Sequence, residues 1–125
     1  MNTVEEFYIE FRRRFSEITE KADIEHIRIW DTVSLDTCYC WFESLANTLN
    51  SEMESSVPFS NYKELFEFIR KADAIGSKEI SDCIDVSFVE NLFWKVAPNK
   101  ASPYWNEMPA KLKAYYQGFH HCDPL

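Results

Sequence analysis

Residues that could bind a metal are concentrated near the carboxyl end of this chain. The run "HHCD", from His120 to Asp123, is its only cluster of metal-ligand types. Structural zinc sites usually separate neighbouring ligands by about two to four residues, whereas these side chains are adjacent and would need ligands from elsewhere. Because chain ends are often unordered, we interpret this run as a mobile tail and predict no metal site.

The four cysteines are Cys38, Cys40, Cys83 and Cys122. Two residues apart on a helix, Cys38 and Cys40 point to nearly opposite sides and cannot chelate together. The amino-terminal sequence "MNTVEEFYIEF" carries acids where a signal peptide has a basic segment, and no window is as apolar as a membrane span. Free thiols and a cytoplasmic location are therefore expected.

Residues suited to catalysis are also scarce. Two of the three histidines are in the "HHCD" run, and His26 stands alone. No helix supplies the Glu-x-x-His pattern of a bundle-core metal site. With only Gly76 and Gly118, the chain has no glycine-rich phosphate loop. We predict that the protein is not an enzyme, has no catalytic residue and uses no cofactor.

Charge indicates which partners the chain can bind. Thirteen basic and twenty-one acidic residues give a net charge of −8, which repels phosphate backbones and anionic lipid. The segment "FRRRF", from Phe11 to Phe15, could suggest RNA binding, but arginines in an acidic chain more often pair with nearby glutamates on a helix. We expect neither a nucleic acid nor a membrane surface as the partner; a basic protein fits better.

Apolar residues recur every three or four positions along most of the chain, which indicates helices. The predicted helices run from Thr3 to about Ala22, from Leu35 to about Met53, from about Ser60 to Gly76, from Ser77 to about Val96, from Ser102 and Pro103, and from Pro109 onward. The segment "IEHIRIWDTVS" is left as an irregular connector or a short helix. The pattern predicts one all-α domain over residues 1–125, a bundle of five to six helices. Solenoid-like stacking is a variant, although no fixed repeat is found.

The stretch "DVSFVENLFW", Asp85–Trp94, is apolar on nearly every side of a helix, which is typical of a buried element. We therefore predict that the fourth helix is central and buried, with Phe88 in the core. Glu90 and Asn91 interrupt its apolar residues. A buried carboxamide needs partners, so we expect Asn91 to bond the backbone of a neighbouring loop, such as "APNKA"; a functional role for it is the alternative.

The segment "SKEISDCIDVSFVENLFW", followed after a proline-containing loop by "SPYW", resembles a family of small helical bacterial immunity proteins encoded beside polymorphic or contact-dependent growth inhibition toxins. The similarity covers roughly residues 62–116. The residues that carry it are Ser87, Phe88, Glu90, Asn91, Leu92 and Trp105. The resemblance implies an all-helical protein that binds a cognate toxin domain and neutralises it.

Many such toxins are nucleases and therefore basic, including ribonucleases, so an acidic inhibitor would be steered toward them. The predicted toxin contacts are acids off the apolar stripes, with two aromatic anchors: Glu52, Glu54, Asp82, Asp85, Tyr104 and Trp105. Core packing of Tyr104 and Trp105 is the alternative. An adaptor or scaffold domain that binds a protein without neutralising a toxin is the second hypothesis, and a small enzyme is the third.

Overall fold

The computed structural model describes residues 1–125 and contains helices without any strand. Seven α-helices form, rather than five or six, and one hydrophobic core joins them. They are α1 (Val4–Arg14), α2 (Ser16–Trp30), α3 (Cys38–Glu54), α4 (Lys63–Ile75), α5 (Lys78–Asp82), α6 (Pro98–Glu107) and α7 (Ala110–His120). The all-α prediction is confirmed. None of these helices combines the length and apolar character needed to cross a membrane.

The first predicted helix is in fact two. Thr3 caps α1 by accepting a hydrogen bond from the Glu6 N–H, but Phe15 leaves helical geometry with φ −124° and ψ 60°. The chain then continues as α2 as far as Trp30, so the segment predicted to be an irregular connector or a short helix is largely helical. Asp31, with a φ of 70°, ends α2. No glycine or proline marks the break at Phe15, and for this reason periodicity alone missed it.

The central helix is α3 rather than the fourth predicted helix. It packs against α1, α2, α6 and the segment that follows α5. Phe42 of α3 is stacked on Phe7 of α1 with ring centroids 4.6 Å apart, and Trp41 meets Phe11 nearly edge-on. Large aromatic side chains from several helices therefore fill the centre of the core.

The predicted fourth helix is α-helical only through α5. A π-helical turn follows from Cys83 to Phe88, and a 3₁₀ turn covers Val89–Asn91. In this segment the buried residues come in neighbouring groups, Cys83 with Ile84 and Ser87 through Val89. Four of these residues would share one side of a regular helix, but Val89 would not, so the departure from 3.6 residues per turn accompanies the burial of Val89. Phe88 is fully buried, as predicted.

The remaining helix boundaries follow local rules. Gly76 follows the last residue of α4, as predicted. A larger residue would not fit there, because its Cβ would lie 2.4 Å from the Ala72 carbonyl oxygen. Ser77 caps α5. The next helix, α6, begins at Pro98 rather than at Ser102, since proline is well suited to a first helical position. Pro109 precedes α7, in agreement with the prediction.

Candidate functional site

Residues 82–97 lie alongside α3 and run in the same direction. Near the start of α3, the Ser87 hydroxyl donates a hydrogen bond of 2.6 Å to the Tyr39 carbonyl oxygen. At the end of α3, the Glu54 carboxylate accepts a bond of 2.9 Å from the Ala97 N–H. Two segments that are distant in sequence thus jointly form one side of the molecule.

Asn50 joins the same two segments between these points. Its buried carboxamide donates to the Asn91 carbonyl oxygen at 2.9 Å and accepts from the Phe93 N–H at 2.7 Å. The side chain of Asn91, predicted to bond a neighbouring loop, instead donates to the Ser87 carbonyl oxygen within its own segment at 2.8 Å. That prediction is wrong, and Asn50 is the residue that holds the two segments together. The sequence signal for this role was the position of Asn50, a polar residue next to the apolar Leu49 in a predicted helix.

One side of the molecule, which we name the acidic face, surrounds Tyr39. A shallow groove there is lined by Glu5, Asp36, Tyr39, Glu79 and Asp82. Asp85 of the π-helical turn and Glu90 of the 3₁₀ turn extend the face, since the charges of both act on the Tyr39 hydroxyl. Val86 is the exposed apolar neighbour of Asp85. The acidic face therefore consists of Glu5, Asp36, Tyr39, Glu79, Asp82, Asp85, Val86 and Glu90. Tyr39 and Val86 are its exposed large side chains.

The pKa directions show that these carboxylates influence one another. Burial raises the pKa of Asp85, and the charges of Asp82 and Asp73 raise it further, against an opposing effect of Lys111. Burial and the charge of Asp85 likewise raise the pKa of Glu90, against an opposing effect of His120. In both groups burial and like charge together outweigh the nearby basic residue, which is Lys111 for Asp85 and His120 for Glu90. The negative charge of the acidic face is thus only partly compensated within the chain.

Few cations lie beside these acids. Lys78 pairs with Asp82 at 2.8 Å, and both side chains are largely exposed. Such exposed pairs contribute little to stability and are easily exchanged for a partner's charge. The face accordingly presents six carboxylates, with Lys78 and Lys111 at its edges.

Of the predicted contact residues, Asp82 and Asp85 belong to the acidic face. Glu54 is exposed but lies at the far end of α3, where it bonds Ala97. The structure does not bring Glu52 to this surface. Glu52 is buried, accepting bonds from Lys21 at 2.5 Å and from the Tyr62 hydroxyl at 2.7 Å.

The predicted exposure of Glu52 is therefore wrong, because α3 turns this side chain toward α2 and the start of α4. Burial raises the pKa of Glu52, but the hydrogen bonds from Lys21 and Tyr62 lower it by more, so that the net direction is down. The ion pair is satisfied inside the chain and links three helical elements.

Tyr104 and Trp105 are also buried, which agrees with the core-packing alternative rather than with exposed anchors. The Tyr104 hydroxyl donates to the Val57 carbonyl oxygen at 2.8 Å. Trp105 packs edge-on against Phe93 and Tyr116. Both side chains are buried because α6 lies between two neighbours: Tyr104 packs against Phe59 of the 58–62 connection, and Trp105 packs against Tyr116 of α7.

Tyr39 and Trp94 are exposed aromatic side chains on this side of the molecule, and neither was among the predicted contact residues. Tyr39 lies at the solvent edge of α3, where its hydroxyl donates to the Asp82 carbonyl oxygen at 3.3 Å. Trp94 follows the 3₁₀ turn, beyond the end of the helical segment. Helical periodicity did not reveal their exposure, because each residue lies at the edge of an apolar run that predicts burial.

The "HHCD" run is not a mobile tail at its start. His120 is the last residue of α7; its ring stacks on Tyr116 with centroids 4.1 Å apart, and its Nε2 lies 3.0 Å from the Glu90 carbonyl oxygen. All four cysteines are free thiols. No three His, Cys, Asp or Glu side chains are arranged to hold a metal ion.

Comparison with known proteins gives a family but no activity. A family described as a domain of unknown function, DUF7674, matches residues 8–122. No curated protein and no solved structure matches the chain. The match includes α3, the π-helical turn and α7, and thus most of the acidic face. The chain belongs to the DUF7674 family.

Proposed function

We propose that this protein is an immunity protein that binds a basic, nuclease-type toxin domain and neutralises it by covering its active site. The observation that carries the proposal is the acidic face, in which six carboxylates lie around the exposed side chain of Tyr39. The resemblance of residues 62–116 to immunity proteins supports the same function.

The composition of the acidic face suits a protein partner. Interfaces combine buried aromatic anchors with a charged rim, and Tyr39 lies among the carboxylates in this way. Its hydroxyl has a raised pKa, because of burial first and then of nearby acidic groups that include Asp82 and Glu90. The phenol donates its single O–H to the Asp82 carbonyl oxygen, and its oxygen can accept a hydrogen bond from a basic side chain of a partner.

The proposed inhibition needs no chemistry from this chain. A nuclease binds its substrate phosphates through basic side chains, so an acidic protein can occupy the same cleft and exclude the nucleic acid. Complementary charge also raises the association rate, which matters when a toxin must be captured before it acts. We place this binding in the cytoplasm, where free cysteines are kept reduced.

The fold gives this surface a rigid base. We describe the arrangement as a bundle around α3 rather than as a solenoid stack, since α1, α2 and α6 all contact that helix. Tyr39 is on α3 itself, and Asp82 lies where the neighbouring segment meets it. A preordered surface loses less conformational freedom on binding than a flexible one.

The second hypothesis is an adaptor domain that uses the acidic face to bind a basic protein without inhibiting it. The surface chemistry is the same in both cases, so only the consequence of binding separates them. An enzymatic function has less support, because no nucleophile with a positioned base accompanies the carboxylates.

The test is coexpression of the protein with the product of the gene adjacent to its own. An immunity protein should copurify with that product and restore growth to cells that it poisons, while failing to rescue cells from an unrelated toxin. Copurification without any rescue would favour the adaptor. Absence of both copurification and rescue would reject the immunity proposal for that pair.

A further inference from the structure

A second surface, at the other end of residues 82–97, is centred on Trp94. This side chain is 64% exposed, the most open of the four tryptophans. The residues on either side of it, Phe93 and Lys95, have φ values of 67° and 56°. Positive φ is unusual for a bulky residue such as phenylalanine. The Phe93 ring nevertheless stays in the core against Trp105 and Tyr116, so the unusual backbone directs Trp94 outward.

Hydrogen bonds hold this turn in place. Asn50 accepts from the Phe93 N–H, and Glu54 accepts from the Ala97 N–H. Strained conformations persist where surrounding contacts fix them, and such places are frequently functional. The indole is therefore held in an exposed position instead of being left on a mobile loop.

A depression of about 580 Å³ lies directly beside Trp94. Its walls include side chains from α2, α3 and the end of the segment: Glu25, Arg28, Asn47, Ser51, Glu54 and Val96. A two-fold dimer uses the same patch on both copies, and this patch carries both a projecting side chain and a hollow. Each copy can then place its Trp94 in the depression of the other.

Charge favours a second copy over another acidic or basic partner at this surface. Glu25 pairs with Arg28 at 2.6 Å, and Lys95 lies 5.7 Å from the Trp94 ring centroid. Glu54, on the wall of the depression, supplies the remaining negative charge. This patch is close to neutral in a chain of net charge −8, so two copies can meet here without the repulsion that their other surfaces would cause.

The walls of the depression are mainly polar, and the neighbouring part of α2 adds exposed apolar side chains. Ile24 is 71% exposed and lies one helical turn from Arg28. Ile27 is exposed three residues further along the same helix. Exposed apolar groups gathered in this way commonly mark an interaction surface.

We propose that two copies of this chain associate through the surface formed by Trp94, the depression beside it and Ile24. We name this the Trp94 surface. The inference is independent of the proposed toxin binding, because the acidic face around Tyr39 lies at the opposite end of the segment.

Sedimentation equilibrium over about a hundredfold range of protein concentration tests this proposal. The wild-type mass should rise from that of the 14.8 kDa monomer toward twice that value. Trp94→Ala should raise the dimer dissociation constant at least about tenfold, as expected for a central aromatic anchor. Trp30→Ala, the matched control at the other exposed tryptophan, should leave it unchanged.

A second pair of variants tests the α2 side. Ile24→Glu should weaken the dimer, whereas Ile75→Glu, at an 80% exposed isoleucine at the end of α4, should not. In amide NMR spectra, the indole N–H signal that Trp94→Phe removes should shift with concentration. A monomer at every concentration, or equal weakening by Trp94→Ala and Trp30→Ala, would overturn the proposal. Loss of the dimer through charge reversal at Asp85 alone would assign self-association to the acidic face instead.

Discussion

The side-chain oxygen of Asn50 accepts a hydrogen bond of 2.7 Å from the backbone N–H of Phe93, 43 residues further along the chain. The amide nitrogen of the same side chain donates to the Asn91 carbonyl oxygen. Two backbone groups that no regular helix satisfies are thus paired by one carboxamide. This contact fixes the turn before Trp94 against the carboxyl-terminal part of α3.

Replacing Asn50 should destabilise the fold strongly. Asn50→Ala leaves the Phe93 N–H and the Asn91 carbonyl oxygen without partners, which should cost about 2–4 kcal/mol of unfolding free energy. Asn91→Ala removes a single bond to Ser87 and should cost about 1 kcal/mol. Urea unfolding followed by circular dichroism measures both. Equal losses in the two variants would contradict the role assigned to Asn50.

Phe88 should be one of the most sensitive positions of the π-helical turn. It is fully buried and packs near Phe66. Phe88→Ala should lower the unfolding free energy by about 3–5 kcal/mol, through lost burial and the cavity left behind. Val86→Ala, at an exposed position of the same turn, should change it by no more than about 0.5 kcal/mol. If Phe88→Ala melts like the wild type, this segment is not part of the core.

Stability should fall on mild acidification because of His26. Its ring is fully buried, with Nδ1 2.9 Å from the Ser44 Oγ and Nε2 3.1 Å from the Thr37 Oγ1. Burial lowers its pKa, against the opposing effect of Asp23. The unfolded chain, with a histidine pKa of about 6.5, then takes up a proton that the folded chain does not.

The contribution of neutral His26 is therefore complete above that pH and declines as the pH falls below it. Unfolding free energies measured from neutral to mildly acidic pH should show this slope in the wild type. His26→Gln should flatten it, while His121→Gln, at an exposed site, should keep it. An unchanged slope in His26→Gln would assign the acid sensitivity to other groups.

Toxin binding through the acidic face should depend on charge. The double variant Asp82→Lys, Asp85→Lys should slow association with the cognate toxin by at least about tenfold at low salt. Added salt should slow association of the wild type while changing dissociation less. Glu107→Lys, on α6 and outside the acidic face, is the control that alters net charge but not this surface. An association rate that is insensitive to salt would remove the steering argument.

The all-α class could be predicted from the sequence, because apolar residues recur every three or four positions in almost every helix. The sequence also located Phe88 in the core and the helix signals at Gly76, Ser77 and Pro109. Periodicity failed where the backbone departs from 3.6 residues per turn. The break at Phe15 and the π-helical turn from Cys83 leave no glycine or proline signature, because tertiary packing imposes them.

The candidate site was predictable only in part for a related reason. Asp82 and Asp85 stand outside the apolar stripes, and the structure places both on the acidic face. Glu52 has the same sequence character, yet Lys21 and Tyr62 enclose it. Whether an acid is buried depends on which helices meet there, and a single sequence does not specify that. The exposure of Trp94 accompanies the positive φ angles of Phe93 and Lys95. Neither residue is a glycine, so the residue types did not indicate these angles.

The alignment of residues 82–97 along α3 gives the two proposed surfaces a thermodynamic relation. Tyr39 and Trp94 are attached to the same pair of segments, which Ser87, Asn50 and Glu54 hold together. A toxin bound at one end and a second copy bound at the other would therefore contact the same hydrogen-bonded pair of segments. Whatever factor toxin binding applies to the dimer dissociation constant, dimer formation must apply to the toxin affinity, because coupling between two binding equilibria is reciprocal.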